Sequence, residues 1–264
     1  MQPPDGARTF LTTGDAYDAF MGRYSVALAT DFAESSGVTA GERALDVGCG
    51  PGALTAELVR RLGAESVASC DPSPPFVQVC ATRNPGVPVR QGRAEELPYD
   101  DGSFEVALAQ LVLHFVSDPS AAGAELIRVL RPGGRVAVCV WDFERGMQML
   151  RAFWDAALAL DANAPDELRV MRFGRAAELA EFLTGAGFTD VVEQELTVDS
   201  TYAGFDELWR GFLAGIVPAG SYCVALPETR QADLRAELFE RVGSPSGAFT
   251  LQATARAAVG TRPG

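Results

Sequence analysis

Residues 44–55, ALDVGCGPGALT, run a short apolar segment straight into three alternate glycines and then into helix-forming residues. No other feature restricts the fold so strongly. A buried strand that ends in a glycine loop and restarts as a helix opens a βαβ unit, and such a loop lets backbone approach a ligand closely. The helix N-terminus beyond it favours electron-rich groups. The same rhythm continues downstream. SVASCD (66–71), VPVRQG (87–92), SFEVALAQ (103–110) and RVAVCVW (135–141) read as further strands, while ALTAELVRRLG (53–63) and AGAELIRVL (122–130) read as helices, the second closed by the RPGG turn. Strands alternating with helices predict a parallel sheet covered on both faces.

The rhythm changes after Trp141. Helices dominate 146–186, FTDVVEQELTV (188–198) reads as a strand, a helical insert occupies about 205–242, and GAFTLQATARAAVG (247–260) reads as the last strand. Residues 15–36 read as an N-terminal helix. Two late strands joined by a long excursion fit an antiparallel edge added to a parallel sheet. With no internal repeat and no low-complexity linker, 1–264 reads as a single domain: a core over 15–141, then a segment, 142–264, that completes the sheet and caps it.

Charge narrows the partners. All 22 basic residues are Arg, against 35 acidic residues, for a net charge of -13. Such a surface repels phosphate backbones and disfavours a nucleic-acid partner. No apolar run is long and clean enough to cross a bilayer, and MQPPDGARTF lacks the layout of a signal peptide. Five cysteines, odd in number and without a C-x-x-C pair, point to a reduced cytoplasmic protein. The one histidine and the missing Cys/His cluster argue against a built-in metal.

The loop suggests a nucleoside-containing ligand. Gly48-x-Gly50-x-x-Ala53 matches the relaxed dinucleotide fingerprint, and Asp71 stands at the second strand tip, where a carboxylate accepts hydrogen bonds from ribose hydroxyls. Asp46 selects among such ligands. Two residues before the first glycine, it would repel a pyrophosphate, but it complements the ammonium and sulfonium of S-adenosylmethionine. The alternative for Asp46 is a cap on the loop through backbone N–H groups.

The sequence resembles the class I S-adenosylmethionine-dependent methyltransferases, in the branch that includes quinone-biosynthesis enzymes. LDVGCGPG, SCDPS, GRAEELPYDDGSFEVALAQLVLHFV and RVLRPGGRVAVCVWD carry the resemblance, in the family's order and spacing. It implies a Rossmann-like α/β fold: a seven-stranded sheet, mostly parallel with the last strand antiparallel, helices on both faces and a helical cap. It also implies that Gly48, Cys49, Gly50 and the loop to Gly52 contact the methionine part, that Asp71 with Pro72 behind it holds the ribose, and that Ala94 and Glu95 meet the adenine, with Phe76 over its face. Two positions depart from the family pattern. Arg93 replaces the Asp that often precedes the Ala-Glu pair, though it is kept with Gln110 among the expected cofactor contacts, and Pro74 and Pro75 replace helix formers. In family members a helix such as YDAFMGRYS closes over the cofactor, bringing Tyr17 and Arg23 towards the methionine carboxylate or the substrate.

The activated methyl leaves positioning as the main work, with a base where the nucleophile must lose a proton. Gln110 stands at the fourth strand tip, and His114, four residues on, is the candidate base; its alternative is a packing role among Leu113, Phe115 and Val116. The aromatic residues after Trp141 suit an apolar acceptor pocket. The reading is methyl transfer to a small, partly apolar metabolite. The alternatives are a nucleotide-dependent oxidoreductase and a non-catalytic S-adenosylmethionine-binding protein.

Overall fold

The computed structural model describes residues 18–169 and 171–264. Seven strands form one sheet: β1 (Ala44–Val47), β2 (Val67–Asp71), β3 (Val89–Gln91), β4 (Phe104–Gln110), β5 (Leu130–Trp141), β6 (Thr189–Tyr202) and β7 (Phe249–Thr261). Their spatial order is β3-β2-β1-β4-β5-β7-β6. The pairs from β3 through to β5 are parallel, whereas β7 runs antiparallel to both β5 and β6. Six strands therefore share one direction and the last in sequence opposes them, as expected. The antiparallel strand is not the edge, however. It slots between β5 and β6, and its composition explains this: Ala253, Ala255, Ala257 and Ala258 are buried, as an interior strand covered on both faces requires. The outer strand β6 carries Glu193, Glu195 and Asp199, charges that suit an unpaired edge.

A π-helical turn, Asp18–Gly22, leads into α1 (Arg23–Ser35). The helices α2 (Ala53–Leu62), α3 (Pro74–Arg83) and α4 (Pro119–Val129) follow, then α5 (Gln148–Leu160), α6 (Glu178–Ala186), α7 (Phe205–Leu213), α8 (Val217–Ala225) and α9 (Glu228–Arg241). The two prolines after Ser73 do not obstruct α3. They occupy its first two positions, where the missing N–H costs no intrahelical bond. Asp118 caps α4 by accepting from the Ala121 N–H at 3.0 Å.

The strand period sorts the core into two layers. Ala137, Cys139 and Trp141 of β5 join one apolar cluster with Tyr24, Leu28, Leu58, Phe153 and Trp154. Val136, Val138 and Val140, one residue out of step, join the other with Leu126, Val129, Leu179 and Leu183. The N-terminal turn and the late helical insert pack on each other. The rings of Phe20 and Phe212 meet edge to face at 5.2 Å, and Phe212 stacks on Phe153 at 4.3 Å.

Candidate active site

The sheet order reverses between β1 and β4, where both strands end beside each other at their carboxyl tips. In open α/β sheets that crevice takes the ligand. Here it is a cleft of about 790 Å³, its open mouth included, lined by Asp46, Gly48, Cys49, Gly50, Asp71, Pro72, Phe76 and Gln110, with Ser25, Leu111, Val112 and Phe115 closing it.

Three glycines build the loop for three different reasons. All have positive φ. A Cβ on Gly48 would stand 2.5 Å from Val112 Cγ2, and one on Gly52 would meet Asn84 and Cys80 at 2.5 and 3.0 Å. Only at Gly50 would a Cβ enter open space. Gly48 thus lets the β4 loop close in, Gly52 lets α3 close in, and Gly50 alone leaves room that a ligand can use. The loop is pinned at its start, where the Gly48 and Cys49 amides donate to the Cys70 carbonyl at 2.8 and 2.9 Å.

Two buried carboxylates face this cleft. Asp46 is 1% exposed and accepts from Thr55 Oγ1 at 2.6 Å. Burial pushes its carboxyl up to about 7; the nearby Asp71 charge adds to this, and the Thr55 hydroxyl opposes it. Asp71 accepts from the Gly50 N–H at 2.9 Å and from the Ser73 N–H at 2.8 Å. Burial also raises Asp71, against those two backbone bonds. Both roles considered for Asp46 therefore bear on the geometry, but the bond to a glycine-loop amide is made by Asp71, while Asp46 holds the first turn of α2. A cleft with two carboxylates that burial leaves under-compensated suits a cationic ligand.

A second cavity, about 470 Å³ with its mouth, shares Leu111 and Phe115 with the cleft. Leu111 follows β4 with φ of 62°, a strained setting for a branched side chain, held by its N–H bond to the Cys139 carbonyl at 2.8 Å. His114 lies here rather than in the cleft. The segment after Gln110 is not an α-helical turn; a 3-10 turn over Leu113–Phe115 carries the imidazole to the far side of the shared wall. His114 is 2% exposed, and its Nδ1 has no partner among the described residues. Burial, helped by the Arg172 charge, lowers its pKa to about 3. A ring held neutral to that degree is a poor proton acceptor at pH 7. The other polar side chain in this cavity is Glu167, 4% exposed, which accepts from Trp154 Nε1 at 3.2 Å.

Several expected site residues stand apart from the cleft. Arg93, Ala94 and Glu95 do not line it. Glu95 accepts from the Ser117 N–H at 2.8 Å, and Arg93 reaches Ser117 Oγ at 3.3 Å, so the pair ties its turn to the segment before α4. Arg23 pairs with Glu207 and lies over the Tyr202 ring at 4.1 Å, away from the cleft lining. Tyr17 lies outside the described residues. Gln110 does line the cleft; its Nε2 donates to the Ser25 carbonyl at 2.9 Å, bracing α1 against the β4 tip. Of the late aromatics, Phe153, Trp154 and Phe212 are fully buried core, and Phe143 is the one that lines the second cavity.

Residues 45–138 match the family described as the methyltransferase domain. An uncharacterized methyltransferase of Mycobacterium tuberculosis is 32% identical over 211 residues, which cover 77% of this chain and 72% of that protein. The chain belongs to the methyltransferase family. A demethylmenaquinone methyltransferase of Clavibacter sepedonicus is 31% identical over 71% of this chain and 78% of its own length. In fold, the chain resembles the Haemonchus contortus phosphoethanolamine N-methyltransferase 2 bound to S-adenosylhomocysteine, with a TM-score of 0.58 at 15% identity, over 95% of this chain and 57% of the other. Family membership sets the reading against an oxidoreductase.

Sequence reasoning missed Ser25, Leu111, Val112 and Phe115 in the cleft and Glu167 in the second cavity. Leu111, Val112 and Phe115 lay within reach, since the first two sit between Gln110 and His114 and the third directly follows. Glu167 carried no signal: an acidic residue in a stretch read as helical passes for solvated until the fold buries it, here at the start of a 3-10 turn, Glu167–Arg169.

Proposed function

We propose that this methyltransferase binds S-adenosylmethionine in the cleft and moves its methyl to a small, partly apolar acceptor in the second cavity. The observation that carries this reading is the shared wall: two cavities, one at the glycine loop and one mostly apolar, meet at Leu111 and Phe115. The sulfonium supplies an already activated methyl. The protein's share is then to hold the two partners in line, an effect that can account for most of the barrier lowering. In this reading Asp71 receives the ribose hydroxyls on lone pairs its two backbone bonds leave free. Asp46 and the Gly50 backbone face the cationic methionine end, and Phe76 covers the adenine. The chain acts as one domain, with 142–264 completing the sheet and capping the acceptor. A charge of -13 without Lys favours a small molecule over RNA or DNA. Five free, buried cysteines suit a reduced, cytoplasmic setting. Among the described residues no helix is long and apolar enough to cross a membrane.

Calorimetry and a transfer assay test this together. S-adenosylmethionine and S-adenosylhomocysteine should bind and NAD should not. Labelled methyl should then enter the small-molecule fraction of a cell extract. Binding of NAD with no response to S-adenosylhomocysteine would sink the cofactor assignment, and comparable labelling of bulk RNA would sink the acceptor class.

A further inference from the structure

Glu167 is the unexplained group of the second cavity. Glu167 is buried and lines the cavity together with Met21, Leu111, Phe115, Trp141, Phe143 and Leu150, and no ion pair to it occurs among the described residues. None of the cations in its neighbourhood forms an ion pair with it among the described residues, although Arg172 leaves its Nε unpartnered. Arg151 and Arg169 pair with Asp166 at 3.2 and 3.4 Å, and Arg172, whose charge acts on His114, donates to the Val116 carbonyl. From α5 the Trp154 indole donates to Glu167 at 3.2 Å. His114, across the same cavity, is neutral, with an unpartnered Nδ1. A buried carboxylate without a cation is costly, because neither water nor a counter-charge compensates it. Here the compensating charge can come from a ligand.

We propose that this cavity selects a small amine, with its apolar body against the aromatic walls and its ammonium on the Glu167 carboxylate. The proposal rests on the cavity being the acceptor site. Three features favour an amine over other acceptors. A neutral hydroxyl leaves the carboxylate charge unanswered, and an acidic acceptor meets a like charge. Phe115, Trp141 and Phe143 line the cavity, and aromatic rings attract a cation. The net charge of -13 raises the local concentration of cations. The chemistry balances. The ammonium gives one proton to Glu167, and the freed nitrogen lone pair forms the new N–C bond. The methyl–sulfur bond breaks with its electron pair going to sulfur, leaving a thioether and a methylated ammonium. Glu167 later releases its proton to solvent. Burial holds this carboxyl up to about 7, with Asp166 adding to the rise and the Trp154 donor opposing it, which matches it to a proton-accepting task near neutrality.

The test uses the full chain saturated with S-adenosylhomocysteine at pH 8 and three probes of one shape: 2-phenylethylamine, 2-phenylethanol and phenylacetate. Calorimetry should show the amine binding roughly 10- to 100-fold tighter than the alcohol, the scale of a hydrogen bond to a charged group, and phenylacetate weakest. Glu167→Gln keeps the shape and an acceptor for Trp154; it should remove that preference while S-adenosylhomocysteine affinity stays unchanged. In the wild type the preference should shrink as pH falls below about 7, a readout that does not depend on the variant folding. Alcohol binding as tight as amine binding, amine binding indifferent to Glu167→Gln, or no amine binding at millimolar concentration with S-adenosylhomocysteine bound would each overturn the proposal. A chain that takes the amine but not S-adenosylhomocysteine would break the methyl-donor reading and leave the amine site standing.

Discussion

The cofactor cleft and the second cavity share Leu111 and Phe115, yet their walls are assembled differently. The cleft draws mainly on strand tips and the loops that follow them: 46–54 after β1, 71–76 after β2 and 110–115 after β4. The second cavity collects Met21, the loop after β4, Trp141 and Phe143, Leu150 of α5, Glu167 and Met171, and Val217 and Pro218 of α8. One site is a property of a folded motif; the other exists only once six separate segments meet. The cleft should therefore answer to backbone strain and carboxylate chemistry, and the second cavity to packing and to the desolvation of His114 and Glu167.

The largest effect is expected at the loop. Gly48→Val places a β-branched side chain at φ of 72° and within 2.5 Å of Val112; strain plus overpacking should cost about 2–5 kcal/mol of stability. Gly50→Ala should cost about 1–2 kcal/mol for its left-handed backbone, yet weaken S-adenosylhomocysteine binding, because its methyl enters open cleft. Thermal melts and calorimetry on both variants separate packing from ligand space. Equal affinity losses at equal stability would contradict that division.

Asp71→Ala comes next. It should weaken S-adenosylhomocysteine by roughly 1.5–3 kcal/mol, the scale of hydrogen bonds to a charged group. An unchanged affinity would remove Asp71 from the ribose role.

The pH dependences of the two cavities should differ in sign for one residue of each. Asp46 is raised from 3.8 to about 7, so its contribution is full below the unfolded value and is lost as pH rises through 7. Asp46→Asn should melt higher than the wild type at pH 8, with the gap closing towards pH 4. His114 is lowered from 6.5 to about 3, so its contribution is present above 6.5 and lost as pH falls towards 3. His114→Gln should flatten that acid-side loss. Melting curves across pH 4–8 compare the two, and slopes of the same sign would show that one of these groups is not buried as described.

The smallest effect is expected at Arg23. Its ion pair with Glu207 is part-exposed and spans α1 and α7, so Arg23→Met should cost less than about 1 kcal/mol and leave S-adenosylhomocysteine affinity unchanged. A tenfold loss of affinity would return Arg23 to the cofactor.

The strands were legible because their side chains alternate with a period of two and their ends carry Gly, Pro or Asp. SVASCD became β2, and RVAVCVW became the buried end of β5. The start of α4 lay earlier than AGAELIRVL suggested, since Asp118 caps it and Pro119 opens it. In the site, Asp46, Gly50 and Asp71 were readable because a local strand–loop–helix motif dictates where they stand. Arg93 and Arg23 stand away from the cleft lining for a common reason: long charged side chains find whichever carboxylate or ring the tertiary fold brings near, here Glu95 for one and Glu207 with Tyr202 for the other.

What the sequence by itself determined was the order of strands and helices, the glycine loop at the first strand tip and the acidic ends of β1 and β2. Each of these follows from periodicity, backbone freedom or charge within a few consecutive residues. The tertiary structure alone decided that β7 lies inside β6, that His114 falls beyond the shared wall, and that Glu167 is stripped of water. Those outcomes depend on which surfaces the folded chain brings into contact, and desolvation, which sets the chemistry of both side chains, has no existence until that contact is made.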